Sequence, residues 1–290
     1  MKAKASLTIR EFFAIYPSDE SCLTHLFEAR FGQGHYCPKC GKSSNWYRIK
    51  AERAYSCQWC GHHLHPTVGT PFEDSRTPLQ LWFYAIYLFT TSRHGVPAKE
   101  LERQLGVTYK TAWRMADQIR KHIARVDGEW PLVGNVEVDE TFVGGKKPHG
   151  QGGSKKTCVF GMLQRGGQIM TKVVANHRAE TLVPIIRKNV KKGSIIHSDE
   201  GTAYKDISQE GYAHGTVNHS AKEYARGPIH VNSLENFWKH LKGSINGTHM
   251  QVSKRHLPKY AKEFEFRFNR REEPASMLPS LLSSFPQPSL

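Results

Sequence analysis

The stretch NVEVDETFVGG, residues 135–145, combines the alternation of a β-strand with a concentration of acidic residues. Because side chains alternate between the two faces of a strand, Val136, Val138 and Phe142 are expected on one face. Glu140 would lie with the valines or where the strand begins to deviate. The other face carries Glu137, Asp139 and Thr141. We therefore predict a strand over residues 135–143, with Asp139 at the centre of the face that carries the polar residues.

This acid stands in a chain that is otherwise strongly basic. The 290 residues include 41 Lys and Arg against 26 Asp and Glu, which gives a formal net charge of +15. A positive field raises the rate of encounter with polyanions, and neutralised phosphates release their counterions. Nucleic acid is therefore the first candidate partner, and an anionic membrane surface is the second.

The sequence contains no stretch that predicts a membrane span or an export signal. The longest apolar run, LQLWFYAIYLF at residues 79–89, has 11 residues, whereas a transmembrane helix needs about 20. The first residues lack the long apolar region and the small-residue cleavage site of a signal peptide. We therefore predict a buried helix at this run and a cytoplasmic protein that does not bind membranes.

The residues around and after the opening strand predict a mixed α/β domain over residues 132–272. Strands flanked by helices, rather than strands alone, indicate a sheet covered by helices. A glycine- and lysine-rich segment at 144–157 predicts an exposed basic loop, and the Pro- and Ser-rich residues 273–290 predict a loosely packed tail. The predicted strands lie at 157–164, 168–175, 194–198 and near 214–218, and the helices at about 179–191, 232–244 and 254–270.

Three acidic residues fall where a catalytic metal site would need them. Asp139 lies in the first strand, Asp199 directly follows the strand at 194–198, and Glu235 lies in the helix at 232–244. Carboxylates from two strands and a crossing helix can converge on two divalent ions, which clamp the attacking and leaving oxygens of a phosphodiester. Hard oxygen ligands suit Mg2+ or Mn2+. Each acid by itself also fits a strand edge, a cap or a solvated helix face.

Four of the six cysteines form two C-x-x-C pairs in the amino-terminal region, residues 1–70, which we assign to a helix and a zinc ribbon. The pairs are Cys37 with Cys40 and Cys57 with Cys60. Four thiolates can close a tetrahedral zinc site without an open position, so this zinc is expected to be structural. Unliganded cysteines are one alternative. In another, a histidine replaces a thiolate; the candidates are His62, His63 and His65. Both remaining cysteines are interpreted as small buried hydrophobes: Cys22 and Cys158.

Residues 71–127 predict a helical DNA-binding module. Within it, AKELERQLGVTYKTAWRMADQIR (98–120) indicates a helix, a turn at Gly106 and a second helix capped by Thr108. The second helix of such a helix-turn-helix would present three side chains to a DNA groove: Tyr109, Lys110 and Arg114. Its small core would contain Leu101, Leu105, Val107, Ala112, Trp113, Met115 and Ile119. The alternative is an amphipathic helical hairpin with a solvated basic face.

Together these motifs resemble the DDE transposases of bacterial insertion sequences, most closely the zinc-ribbon-bearing ISXO-like group. The resemblance implies a ribonuclease-H-like domain in which Asp139, Asp199 and Glu235 bind the metal and catalyse. It also implies that Lys242, two helical turns after Glu235, contacts DNA. The motifs that carry it are CPKCG (37–41), VEVDETFVGG (136–145), HSDEGTAY (197–204), HVNSLENFWKHLKG (230–243) and HLPKYAKEFEFRFNRR (256–271).

Two points of assignment stay open within this resemblance. Some members of the group carry Asn as the third residue, and Asn232 lies one turn before Glu235 on a similar face, so Asn232 could assist or replace it. His197 and His219 could position water or phosphate, although a histidine near a strand end is more often packed.

The resemblance further implies hydrolysis at the element end and then strand transfer, with Mg2+ or Mn2+ at the catalytic site and Zn2+ in the ribbon. The expected partners are double-stranded DNA of the inverted repeats and of the target, bound by a homo-oligomer near the nucleoid. A regulator with an inert ribonuclease-H-like domain is the main alternative function. A nuclease of the same fold is the third.

Overall fold

The computed structural model of this chain describes residues 6–128, 130–144, 156–217, 227 and 229–286. His219 and most of the predicted basic loop lie outside these ranges. The chain divides into two compact units, Met1–Val126 with Glu272–Leu290, and Asp127–Arg271. Among the described residues, no helix combines the length and the apolar character that a membrane span requires.

The elements follow one another as short amino-terminal helices, a small sheet, three helices, and then a larger sheet interrupted and followed by helices. The helices are α1 (Ile9–Ile15), α2 (Asp19–Arg30), α3 (Leu79–Thr91), α4 (Ala98–Leu105), α5 (Tyr109–Asp127), α6 (Ala179–Asn189), α7 (Asn232–Ser244), α8 (Leu257–Asn269) and α9 (Met277–Ser283). The strands are β1 (Trp46–Ile49), β2 (Ala54–Cys57), β3 (His63–Leu64), β4 (Asn135–Val143), β5 (Thr157–Gln164), β6 (Ile169–Val174), β7 (Ile195–Ser198) and β8 (Ala213–Thr216).

In the first unit, α4 and α5 form the helix, turn and second helix that the sequence predicts within residues 98–120, and α5 continues to Asp127. Gly106 ends α4 with φ of 64°, a left-handed conformation that glycine adopts without a steric cost. The Thr108 hydroxyl then accepts the backbone N–H of Thr111 at 3.3 Å and caps the start of α5. One predicted core residue is wrong: Trp113 is 41% exposed, so it does not pack between the helices.

The predicted loose tail is also wrong, because residues 277–283 form α9 with one face buried. The buried face contains Met277, Leu278, Leu281 and Leu282. His122 Nε2 of α5 donates to the carbonyl of Leu281 at 2.7 Å, and its ring stacks on Phe285 with centroids 4.8 Å apart. The leucine pairs supply enough apolar surface for a short helix to dock. The high Pro and Ser content of the segment gave no indication of this helix.

The second unit is built on a five-stranded sheet in the order β6-β5-β4-β7-β8. β5 runs antiparallel to both β4 and β6, whereas β7 lies parallel to β4 and β8 lies parallel to β7. With α6 between β6 and β7 and helices α7 and α8 following, this topology is that of a ribonuclease-H-like fold, which confirms the predicted fold class. The element bounds differ from the predicted ones by at most three residues.

Each face of this sheet packs against a separate hydrophobic core, and β4 contributes side chains to both cores. Val136 and Val138 pack on the side that carries α6 and Tyr204. Val143 packs on the opposite side, with α7 and α8. The alternation predicted for β4 is therefore confirmed, and it places Glu137 and Asp139 on the side of α7.

Candidate active site and metal centres

Asp139 lies on the central strand β4, where its carboxylate meets the first turns of α7. The indole Nε1 of Trp238 donates to Asp139 Oδ2 at 3.0 Å. This contact joins residues that are 99 positions apart, and it directs one carboxylate oxygen toward the helix. The strand and the helix therefore position Asp139 together.

Gly161 makes that contact possible. It lies opposite Asp139 on the neighbouring strand β5, and a Cβ added there would lie 2.5 Å from the Trp238 ring. A distance this short is a steric clash, so only glycine lets the indole lie against the sheet. A glycine inside a strand is the sequence signal for such a close approach, and Gly161 is absent from the predicted site.

Asp199 follows the last residue of β7, as predicted, and a tight turn holds it. The backbone N–H of Gly201 donates to Asp199 Oδ1 at 2.9 Å. A Cβ at Gly201 would lie 2.9 Å from that same oxygen. The glycine therefore leaves room for the carboxylate and also supplies one of its donors.

The carboxylates of Asp139, Glu140 and Asp199 repel one another. Burial, together with the negative charges of Asp199 and Glu140, raises the pKa of Asp139 to about 7, although the Trp238 hydrogen bond acts in the opposite direction. Burial also raises the pKa of Glu140, which accepts the hydroxyl of Tyr204 at 2.6 Å. Carboxylates that repel each other in a partly dry site favour a bound cation, which would neutralise them.

Glu235 and Asn232 lie in the first turn of α7, and both are exposed. Oxygens of Asp139, Asp199 and Glu235 do not all come within 4.8 Å of one another; the described ranges contain two metal-ligand groups that do, neither of which includes these acids. Glu235 nevertheless precedes Trp238 by three positions, so the two share a face of the helix. The structure thus brings Asp139 and Asp199 together electrostatically and places Glu235 one turn from the indole that contacts Asp139.

Glu137 belongs to the site, although it is absent from the residues predicted for it. Its carboxylate is fully buried and accepts the backbone N–H of Leu234 at 3.0 Å and the hydroxyl of Ser233 at 3.1 Å. These donors belong to the first turn of α7, so Glu137 caps the helix that carries Glu235 and complements its dipole. The order of acids along the strand contained no signal for this role.

Arg165 and His230 also lie against the carboxylate of Glu137. Arg165 Nε donates to Glu137 Oε1 at 2.8 Å, and Arg165 Nη2 donates to the carbonyl of His230 at 2.6 Å. The imidazole Nδ1 of His230 lies 3.3 Å from Glu137 Oε1. Arg165 therefore joins the strand bearing Asp139 to the segment that leads into α7.

His197 is packed inside the domain and is not exposed at the site. It is 2% exposed and its Nε2 pairs with Asn135 Oδ1 at 2.9 Å. Burial lowers the pKa of His197 to about 4. This agrees with the packed interpretation of a histidine near a strand end.

The four cysteines meet in the ribbon as predicted. The sulfurs of Cys37 and Cys60 are 3.7 Å apart, those of Cys40 and Cys57 are 3.9 Å apart, and all four lie within 4.8 Å of one another. Zn–S bonds of about 2.3 Å in a tetrahedron separate the sulfurs by about 3.8 Å. The group therefore fits a closed structural zinc site without a histidine ligand.

The residues predicted to face DNA are exposed on the first turns of α5. Tyr109 is 46% exposed and carries the ammonium of Lys99 at 5.0 Å from its ring. Lys110 and Arg114 are exposed beside it, and Arg114 also donates to the carbonyl of Glu73 at 3.2 Å. On α7, Lys242 is half-buried.

The chain thus combines a ribonuclease-H-like domain, which has paired acids at the centre of its sheet, with a four-cysteine ribbon in the other unit. Residues 131–269 match the family model of an ISXO2-like transposase domain, and residues 17–63 match that of a transposase zinc-ribbon domain. The chain belongs to the ISXO2-like transposase family.

Individual relatives agree with this membership. The chain is 25% identical over 274 residues to an uncharacterized protein in the transposable element ISH50 of Halobacterium salinarum, covering 87% of this chain and 91% of that protein. It is 36% identical over 108 residues to an uncharacterized transposase-like protein of Haemophilus influenzae, covering 36% of this chain and 84% of that protein. Among solved structures, the catalytic core domain of BIV integrase matches 46% of this chain and 79% of its own, with 13% identity and a TM-score of 0.30.

Proposed function

We propose that this protein is an insertion-sequence transposase that binds element-end DNA and performs divalent-metal-dependent phosphodiester hydrolysis and strand transfer. The observation that carries the proposal is the buried Asp139, whose pKa rises to about 7 because of burial and of the charges of Asp199 and Glu140. A basic DNA-binding protein has little other use for carboxylates that repel each other at the centre of its sheet.

Asp139 and Asp199 are the residues that would hold the catalytic ions, with Glu235 as the third ligand and Asn232 as its possible substitute. Their carboxylate oxygens are hard donors that suit Mg2+ or Mn2+. When bound, such ions activate the attacking oxygen and stabilise the leaving oxygen of an in-line displacement. In the ribbon, the four thiolates would hold a structural Zn2+.

In this scheme, neighbouring residues of the protein orient the proposed metal ligands. Trp238 directs one oxygen of Asp139, the N–H of Gly201 directs one oxygen of Asp199, and Glu137 caps the helix that carries Glu235. In the first reaction, water attacks the phosphorus and the P–O3′ bond at the element end breaks. The released 3′-hydroxyl then attacks a target phosphodiester and frees a target 3′-hydroxyl, without a covalent protein intermediate.

DNA binding is assigned to three exposed side chains of α5 and to Lys242 on α7. An aromatic ring flanked by cations suits a phosphate-lined groove, because phosphate contacts supply most of the affinity. The α5 residues are Tyr109, Lys110 and Arg114. Joining two element ends to one target would require at least a dimer of this chain on DNA.

The test is strand transfer of a labelled element-end duplex into plasmid DNA with Mg2+. We expect Asp139→Asn and Glu235→Gln each to slow joining by about a hundredfold or more, because several kcal/mol of charge stabilisation are lost. Both variants should still bind DNA. Glu180→Gln, which alters an exposed glutamate of α6, is the matched control and should join like the parent.

Two other outcomes would reassign the function or the third ligand. If Asn232→Ala abolishes joining and Glu235→Gln does not, the third ligand lies one helical turn earlier. If the parent binds element ends but neither cuts nor joins them, the chain is a DNA-binding regulator with an inert domain. Cleavage without end preference or joining would indicate a nuclease.

A further inference from the structure

Two histidines of the zinc ribbon lie outside the four-cysteine centre. His63 and His65 flank Leu64 on and just after strand β3. Leu64 is 7% exposed, and side chains alternate along a strand. Both imidazoles therefore face away from the buried side of the hairpin, where they are exposed on the same surface.

Glu52 reaches the same surface from the turn between β1 and β2. Its Oε1 lies 3.4 Å from Nδ1 of His63. The rings of His63 and His65 have centroids 6.4 Å apart. One ligand atom from each of the three residues lies within 4.8 Å of the others.

This set of donors points to a transition metal. Two imidazoles and one carboxylate are the ligands of open zinc sites, whereas Mg2+ and Ca2+ favour oxygen ligands throughout. Bonds of about 2.0 to 2.1 Å in a tetrahedron place the donors about 3.3 Å apart. Exposed side chains can close that difference by small rotations, because little packs against them.

We propose that Glu52, His63 and His65 form a second metal site of the ribbon, which takes a divalent transition ion such as Zn2+. It differs from the cysteine centre in chemistry, since it has nitrogen and oxygen donors and keeps a coordination position open to solvent. The ion links the β1–β2 turn to the edge strand β3, and it stabilises the hairpin by binding the folded form only.

The experiment counts zinc in the full-length chain after dialysis against buffered micromolar Zn2+. All chains in this experiment, including the one called the parent, carry Asp139→Asn. This substitution reduces the zinc that the proposed catalytic acids would bind and add to the count. We expect two zinc ions per chain in the parent and one in the His63→Ala/His65→Ala variant. His62→Ala changes a neighbouring histidine outside the group and should keep two.

Cobalt substitution distinguishes loss of the site from loss of the fold. Thiolate-to-Co2+ charge-transfer absorption from the cysteine centre reports an intact ribbon in each variant. If the double variant loses this band, Glu52→Gln decides, since it changes one exposed turn residue; we expect it to weaken the second Co2+ by about tenfold or more with the band unchanged. A parent with one zinc, or band-positive variants that keep the second ion at parental affinity, would overturn the proposal.

Discussion

At the scale of single residues, Glu137 and Asp139 show how two acids of one strand can differ in role. Both lie on the same face of β4, yet their environments differ. The carboxylate of Glu137 accepts hydrogen bonds from Arg165 and from two donors at the start of α7. Asp139, in contrast, lies close to other carboxylates. One strand thus positions Asp139, a proposed metal ligand, and the start of the helix that carries Glu235.

We predict that Glu137→Gln lowers the free energy of unfolding by about 2 to 3 kcal/mol, because Arg165 loses its buried partner. Joining should slow while DNA affinity stays unchanged, since the start of α7 loses its anchor. Urea denaturation and single-turnover joining measure the two effects. In the control Glu180→Gln, the exposed pair with Arg178 is broken, and stability should change by about 0.5 kcal/mol or less. Equal effects of the two substitutions would contradict a positioning role.

At the scale of elements, the packing of α7 on β5 depends on the absence of one side chain. We predict that Gly161→Ala destabilises the second unit by about 1 to 3 kcal/mol, because the added methyl displaces the indole of Trp238. Tryptophan fluorescence should shift, and joining should fall because Asp139 loses its donor.

Gly243 supplies the matched control, since it lies on the same helix α7 and a Cβ there would meet nothing within 4 Å. Gly243→Ala should be neutral or stabilise the protein by up to about 1 kcal/mol through helix propensity. If Gly161→Ala leaves fluorescence and stability unchanged, the indole does not depend on the close approach to β5.

The elements also show what local sequence can and cannot predict. The alternation of β4, the bounds of α7 and the cysteine spacing are local patterns, so each was predicted correctly. The role of Glu137 depends on donors almost 100 positions away, and the docking of α9 depends on a surface formed earlier in the chain. Such contacts leave no periodicity, and only unusual residues, such as the glycine within β5, point to them.

At the scale of the whole molecule, the chain leaves its first unit near residue 126 and returns to it at residue 272. The returning segment is held partly by His122, whose Nε2 donates to the carbonyl of Leu281. Burial lowers the pKa of His122 to about 4. The closure of the first unit therefore depends on an imidazole that must stay neutral.

We predict that acid weakens this closure in a defined pH window. An unfolded histidine has a pKa of about 6.5, so between about pH 6.5 and 4 the unfolded chain binds the extra proton and the folded chain does not. Stability from this group is complete above that window and is lost as the pH falls through it, by about 2 kcal/mol between pH 7.5 and 5. His122→Gln keeps a donor that does not titrate, so urea denaturation of this variant should lack that part of the pH dependence. Parallel pH profiles of the parent and the variant would show that His122 does not control the closure.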